Sequence, residues 1–188
     1  MIKIAITGSL ASGKTTVAKL MSGNRYPIFS ADKTVKNLYR KKIFINKIKR
    51  KFNFKNTKDI KKKIKNLIKK DKKILKKLEL IIHPLVRREM RIFMKRKKNI
   101  KIKIFEIPLL IESKLTKFFD VTIFVGSKKN IRLRRYLKNG GNKKIFTILD
   151  KRQIKSSKKI KKSDHVVYNN SSLIILKKKI KLLLRKYE

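Results

Sequence analysis

The chain has 188 residues, enough for one domain whose core buries roughly 70% of the surface its unfolded chain would expose. It carries 57 Lys and Arg against 11 Asp and Glu, a formal net charge of +46, and no cysteine. That composition excludes disulfides, thiolate catalysis and Cys-based zinc sites, and no apolar run approaches the ~20 residues of a bilayer span.

The first element is an apolar strand, Ile2–Thr7. It runs into Gly8-Ser9-Leu10-Ala11-Ser12-Gly13-Lys14-Thr15, which fits the phosphate-loop pattern of glycine, four residues, then Gly-Lys-Thr. Helical spacing follows, with Val17, Leu20 and Met21 on one face. Each part has a physical role. Gly8 and Gly13 allow sharp turns that aim successive N–H groups into a nest. The helix N-terminus adds partial positive charge, Lys14 reaches the outer phosphates, and the Thr15 hydroxyl can ligate Mg²⁺. The strand–loop–helix context predicts binding of a nucleoside triphosphate. A loop this early leaves no room for a signal peptide, so a cytoplasmic protein is expected.

The second strand is Pro27–Ala31, followed at once by Asp32. The strand ends of a parallel sheet share one rim with the phosphate loop, which makes Asp32 the best general base. A place in the metal shell competes with that role, and a helix cap is the structural alternative. Roughly seventy residues separate this strand from the next, far beyond an ordinary crossover. They read as helices. Ile60, Ile64, Leu67 and Ile68 form one stripe with Thr57 as N-cap, and Ile74, Leu75, Leu78 and Ile82 form another with Asp71 as N-cap. His83-Pro84 is expected to break the pattern before a third stripe of Val86, Met90, Phe93 and Met94. We read residues 33–100 as a helical substrate-binding insertion. His83 is either a ligand or a helix-boundary residue.

Ile102–Ile107 is the third strand and ends at Glu106, which either holds Mg²⁺ through water or lies at the surface. Glu112, after Pro108, binds a substrate group or caps a helix. Val121–Val125 is the fourth strand. A helix over Lys128–Lys138, the breaker Asn139-Gly140-Gly141-Asn142 and a helix over Lys143–Ser156 suggest a lid over residues 128–163. Arg132, Arg134 and Arg135 supply phosphate clamps, though neighbours on one helix cannot all face one site. His165–Tyr168 is the last strand; Asn169-Asn170 after it meets an adenine edge or makes a turn. A final helix starts near Ser171 with Leu173, Leu176, Ile180 and Leu183 on one face. The fold expected is α/β, a P-loop NTPase-type five-stranded parallel sheet flanked by helices, within a single domain spanning 1–188.

The charge has two explanations. Polybasic chains attract nucleic acid. Here 45 of the basic residues are lysine and only 12 are arginine, spread along a chain rich in Ile and Asn and lacking Trp. AT-rich coding yields that mixture, and specific nucleic-acid readers favour arginine and aromatics. No specific nucleic-acid partner and no membrane are expected, and the oligomeric state stays open.

The chain resembles the dephospho-CoA kinase family over essentially its whole length. The residues carrying the likeness are Thr7-Gly8 through Lys14-Thr15-Thr16, Ala31-Asp32, Ile82-His83-Pro84-Leu85-Val86 and Ile107-Pro108-Leu109-Leu110-Ile111-Glu112. They continue with the Arg134-bearing helix, Arg152-Gln153 and Asp164-His165-Val166-Val167-Tyr168-Asn169-Asn170. The resemblance implies ATP-dependent phosphorylation of the ribose 3′-hydroxyl of dephospho-CoA, the last step of coenzyme A synthesis, with Mg²⁺. It assigns Asp32, Lys14 and Arg134 to catalysis. It assigns Gly8, Ala11, Ser12, Gly13, Lys14, Thr15, Thr16 and Asn169 to ATP. By the same resemblance the inserted helices and the His83 region would receive the acceptor; from the residues themselves, Lys36 and Glu112 are placed with the acceptor and Thr15 with Glu106 at the metal. Where the family commonly has Asp-Ala-Asp this chain has Ser30-Ala31-Asp32, and Lys36, Lys138 and Ser171 also depart from the usual residues. The alternatives are another small-molecule kinase of this architecture, for a nucleoside monophosphate or a sugar acid, and a nucleic-acid-binding P-loop ATPase.

Overall fold

The computed structural model describes residues 1–71, 73–96 and 99–188; Lys72, Lys97 and Lys98, inside the expected insertion, lie outside the described residues. The elements run β1 (Ile2–Gly8), α1 (Lys14–Ser22), β2 (Ile28–Ser30), α2 (Ala31–Leu38), α3 (Lys42–Lys51), α4 (Ile60–Lys70), α5 (Lys73–Lys95) and β3 (Ile102–Glu106). A 3₁₀ turn at Thr116–Phe118 precedes β4 (Val121–Gly126), α6 (Lys129–Lys138), α7 (Lys143–Arg152), α8 (Ser156–Ile160), β5 (His165–Tyr168) and α9 (Leu173–Leu184).

All five strands join one sheet in the order β2-β3-β1-β4-β5, and every pairing is parallel. The strands are short apolar runs because helices cover both faces. On one face Ile4, Ile6, Ile102, Ile104, Ile123, Val125 and Val167 meet Val17, Ala18 and Met21 of α1 and Leu176, Ile180 and Leu184 of α9. Phe29, Phe105 and Phe119 pack in sequence, Phe29 tilted against Phe105 at 6.1 Å between ring centroids and Phe119 edge-on to Phe105 at 5.0 Å. β1 lies at the centre, and its two neighbours are reached by chain that leaves in opposite directions. The carboxyl end of β1 is therefore the switch point of the sheet, where ligands of open α/β sheets bind.

Lys103 interrupts the apolar pattern of β3 and is fully buried. Its ammonium donates to the carbonyl of Met94, in the last turn of α5, at 2.9 Å, and to that of Arg96 just past the helix. A cation there complements the negative end of the helix, although burial pushes the Lys103 pKa down.

The chain divides into two compact units, Met1–Ser30 with Met94–Glu188, and Ala31–Phe93. The second unit is helical. In α4, Ile60, Ile64 and Ile68 are buried as the stripe predicts, but the N-cap is Asp59, not Thr57. The Asn56 side chain accepts from Lys58 N at 3.2 Å, and this turn delays the helix start to Ile60. Asp71 does accept from Lys73 N, at 2.8 Å, at the start of α5.

The expected break at His83-Pro84 does not occur: α5 is one helix of 23 residues with Pro84 inside it. Proline removes one ladder bond, but the apolar stripe keeps its register through it. Leu75, Leu78, Ile82 and Met90 are all buried, and that burial outweighs the local loss. The helix expected over Lys143–Ser156 is interrupted instead. Its backbone leaves helical form at Gln153–Lys155, where Ile154 N bonds the Glu112 carboxylate at 3.2 Å.

Candidate active site

The phosphate loop leaves β1 at Gly8 and enters α1 at Lys14. Gly8 (φ 150°) passes so close to β4 that an added Cβ would sit 2.2 Å from the Val125 carbonyl oxygen. Gly13 (φ 95°) is left-handed, and a Cβ there would fall 2.1 Å from Asn169 Nδ2. At Gly8 the Cβ would strike backbone, and at Gly13 the left-handed conformation itself disfavours any side chain. Ser12 N bonds Ser9 O at 3.2 Å to close the turn, and Ala11 within it has φ 58°. The first ladder bond of α1 runs from Val17 N to Gly13 O, so the N–H groups ahead of it have no partner within the helix. Free N–H groups at a helix N-terminus, with the helix dipole behind them, suit an anion.

Lys14 is buried and its ammonium curls back on the loop, donating to Ser9 O at 2.9 Å and Gly8 O at 3.4 Å. Thr15 Oγ1 donates to Glu106 Oε1 at 2.5 Å. Glu106 is only 2% exposed, which removes the surface-residue alternative for it. The parallel register explains the meeting: Ile6 pairs with Glu106, so the end of β3 lies beside the start of the loop. Among the described residues no group of three or more His, Cys, Asp or Glu could hold a metal unaided. One hydroxyl and one carboxylate are the hard-oxygen set that suits Mg²⁺, an ion that keeps waters and takes substrate phosphates for its remaining positions.

Asn169, at the end of β5, is buried and donates from Nδ2 to Ser12 O at 2.9 Å. Arg135 of α6 reaches Ser12 O at 3.4 Å and Asn169 O at 3.2 Å. Burial, and then the neighbouring Arg134, push the Arg135 pKa down. Asn170 takes a different task, accepting Lys128 N at 2.9 Å just before α6. Of the three arginines on α6, Arg132 and Arg135 turn to the loop and Arg134 is exposed. A helix turns 100° per residue, so neighbours cannot share one direction.

Glu112 is half-buried. Its Oε1 pairs with Lys159 Nζ at 2.6 Å and accepts Ile154 N at 3.2 Å, while Oε2 has no partner. The segment after Pro108 forms turns, so there is no helix for it to cap. Thr16 lies half-buried in the first turn of α1. The remaining expected residues belong to the Ala31–Phe93 unit. Asp32 is exposed in the first turn of α2, inside the helix rather than at its cap, and Lys36 is exposed one turn further on the same face. His83 is half-buried in the middle of α5, not at a helix boundary.

Sequence reasoning missed the hold that Arg135, Arg132, Asp150, Gln153 and Ser156 have on the loop. Ser156 Oγ meets Ser9 Oγ at 3.0 Å, and Gln153 Oε1 accepts Leu10 N at 3.2 Å. No local spacing signals a contact across more than a hundred residues.

A model of the dephospho-CoA kinase family matches residues 2–174. The chain belongs to the dephospho-CoA kinase family. A curated dephospho-CoA kinase of Fusobacterium nucleatum is 36% identical over 182 residues, covering 94% of each chain. A crystal structure of a Thermus thermophilus protein matches with TM-score 0.78 and 28% identity, covering 100% of this chain and 98% of that one. The fold is also that of dephospho-CoA kinase from Campylobacter jejuni, with TM-score 0.66, 23% identity and coverage of 99% and 97%. As a member of the dephospho-CoA kinase family the chain is a phosphotransferase that uses ATP, and the fold is the P-loop kinase fold. No helix among the described residues is long and apolar enough to cross a membrane.

Proposed function

We propose that this chain transfers the terminal phosphoryl group of ATP to the ribose 3′-hydroxyl of dephospho-CoA, giving CoA and ADP. The observation that carries the reading is the family match over residues 2–174, joined to an intact phosphate cradle with Lys14 and the Thr15–Glu106 pair at its edge. A bond forms between the 3′-oxygen and the γ-phosphorus as the bond from that phosphorus to the bridging β–γ oxygen breaks. Asp32 accepts the hydroxyl proton. Lys14 leaves the loop carbonyls to meet the β- and γ-phosphates, and the N–H groups of the loop hold the phosphate oxygens. Thr15 and Glu106 would hold Mg²⁺, which when bound neutralises charge on those phosphates.

Residues 33–100 act as the acceptor-binding insertion in this reading, with Lys36 and His83 on the acceptor. Glu112, through its unpartnered Oε2, is also assigned to it. Residues 128–163 form the lid. Arg134, exposed on α6, is the cation left to meet the transferring group, because Arg132 and Arg135 are engaged with the loop. Asn169 supports the base of the cradle next to the adenine. A cytoplasmic location, where ATP is abundant, suits the reaction. The lysine excess serves anionic small molecules rather than a specific nucleic-acid site.

A coupled assay of ADP release tests this, with ATP, Mg²⁺ and a panel of acceptors. Release that depends on dephospho-CoA, with phosphate at the 3′ position of the product, is expected. Phosphorylation of a nucleoside monophosphate or a sugar acid in place of dephospho-CoA would overturn it.

A further inference from the structure

The peptide groups of Leu10 are held from both sides by the segment that follows β4. Its N–H is taken by Gln153 Oε1 at 3.2 Å, and its carbonyl accepts Arg132 NH1 at 3.2 Å. Arg132 is itself fixed. It is 7% exposed, donates to Ser127 O at 3.1 Å and to Asp150 Oδ1 at 2.5 Å, and lies over the Phe146 ring at 5.6 Å. The next residue, Ala11, is where this grip matters. It stands at the third position of the turn closed by Ser12 N and Ser9 O, with φ 58°, a place that ordinarily selects glycine. A side chain kept in that region is strained and persists only where its surroundings over-determine it.

We propose that Arg132, oriented by Asp150, is a positioning residue that holds the Leu10–Ala11 turn in its ATP-binding form before ATP arrives. It touches no substrate. It acts through the Leu10 carbonyl, with Gln153 as the partner grip on the Leu10 N–H. Without the grip the turn relaxes to unstrained backbone, the binding-competent fraction of molecules falls, and the apparent dissociation constant rises in inverse proportion to that fraction. The inference uses ATP binding alone and holds whichever alcohol is the acceptor.

Calorimetric titration of the full chain with ATP and Mg²⁺, without acceptor, separates the possibilities. Arg132→Lys keeps the charge but loses the planar fork that spans Leu10, Ser127 and Asp150. It is expected to weaken ATP binding about tenfold or more at unchanged stoichiometry. Asp150→Asn should weaken it less, and the double variant should bind no worse than Arg132→Lys, because Asp150 works through the arginine. Adding Ala11→Gly to Arg132→Lys should recover much of the loss, since glycine takes the left-handed conformation unaided. A purely structural role predicts a share of irreversibly misfolded molecules that never bind, hence lower stoichiometry, with an unchanged dissociation constant for the remainder. That result, or a double variant with additive losses, overturns the proposal. If Arg132→Lys does not fold, Gln153→Met withdraws only the acceptor for Leu10 N–H, and an unchanged dissociation constant in that variant is equally fatal.

Discussion

Asp32 is exposed in the first turn of a helix, a place where a carboxylate also gains from the helix dipole. Asp32→Asn separates the two roles. Turnover should fall about 10²–10⁴-fold while the ATP dissociation constant stays put, the size expected of a general base. A variant with near-normal turnover and lower stability would reduce Asp32 to helix support. Glu106→Gln keeps an oxygen for Thr15 but removes the charge, so the Mg²⁺ concentration giving half-maximal rate should rise about 10–100-fold. An unaltered Mg²⁺ dependence would remove Glu106 from the metal. Gly13→Ala should abolish ATP binding, because its methyl would meet Asn169 Nδ2 while its backbone is held at φ 95°. Equilibrium titration checks this directly. Lys14, Thr15 and the two loop glycines were legible in the sequence, because their chemistry needs a fixed local spacing. Asn169 was legible as an adenine-edge or turn residue at a strand end, and the resemblance set it beside ATP, but not its contact with the loop. That it donates to Ser12 O, 157 positions away, follows from β5 lying beside β4 and so near the loop.

Among elements, α5 shows a local signal and a long-range one in conflict. Proline inside a helix costs about 3 kcal/mol relative to alanine, which predicts a break. The stripe Leu75, Leu78, Ile82, Met90 keeps a helical period straight through Pro84, and the stripe prevails. Pro84→Ala should therefore raise the denaturant midpoint by an amount equivalent to about 1–3 kcal/mol. A lower midpoint would show that the ring packs better than the restored hydrogen bond. The gap between α7 and α8 shows the reverse. Periodicity favours one helix over Lys143–Ser156, yet the backbone opens where Gln153 and Ile154 bond Leu10 and Glu112. Distant partners there offer better bonds than the helix ladder does, and no window of local sequence contains them.

At the scale of the molecule, a net charge of +46 on 188 residues means self-repulsion that the folded state concentrates. Most lysines are exposed, while the buried Lys103 and Lys159 are paired with helix-end carbonyls and with Glu112. Thermal midpoints should rise by several degrees from about 0.01 M to 0.15 M salt, as the screening length shrinks from roughly 30 Å to about 8 Å. A flat dependence would mean that the lysines are already neutralised by bound anions. The alternation of apolar strands with helices determined the class of fold and the centre of its chemistry, since burial on both faces and a phosphate-binding turn each leave a short-range pattern. The tertiary structure alone decided which arginines grip the loop, that Glu106 is buried against Thr15, and that α5 stays whole. The first two depend on groups far apart in the chain that only strand order and packing bring within hydrogen-bonding reach, and the third on burial of the α5 stripe.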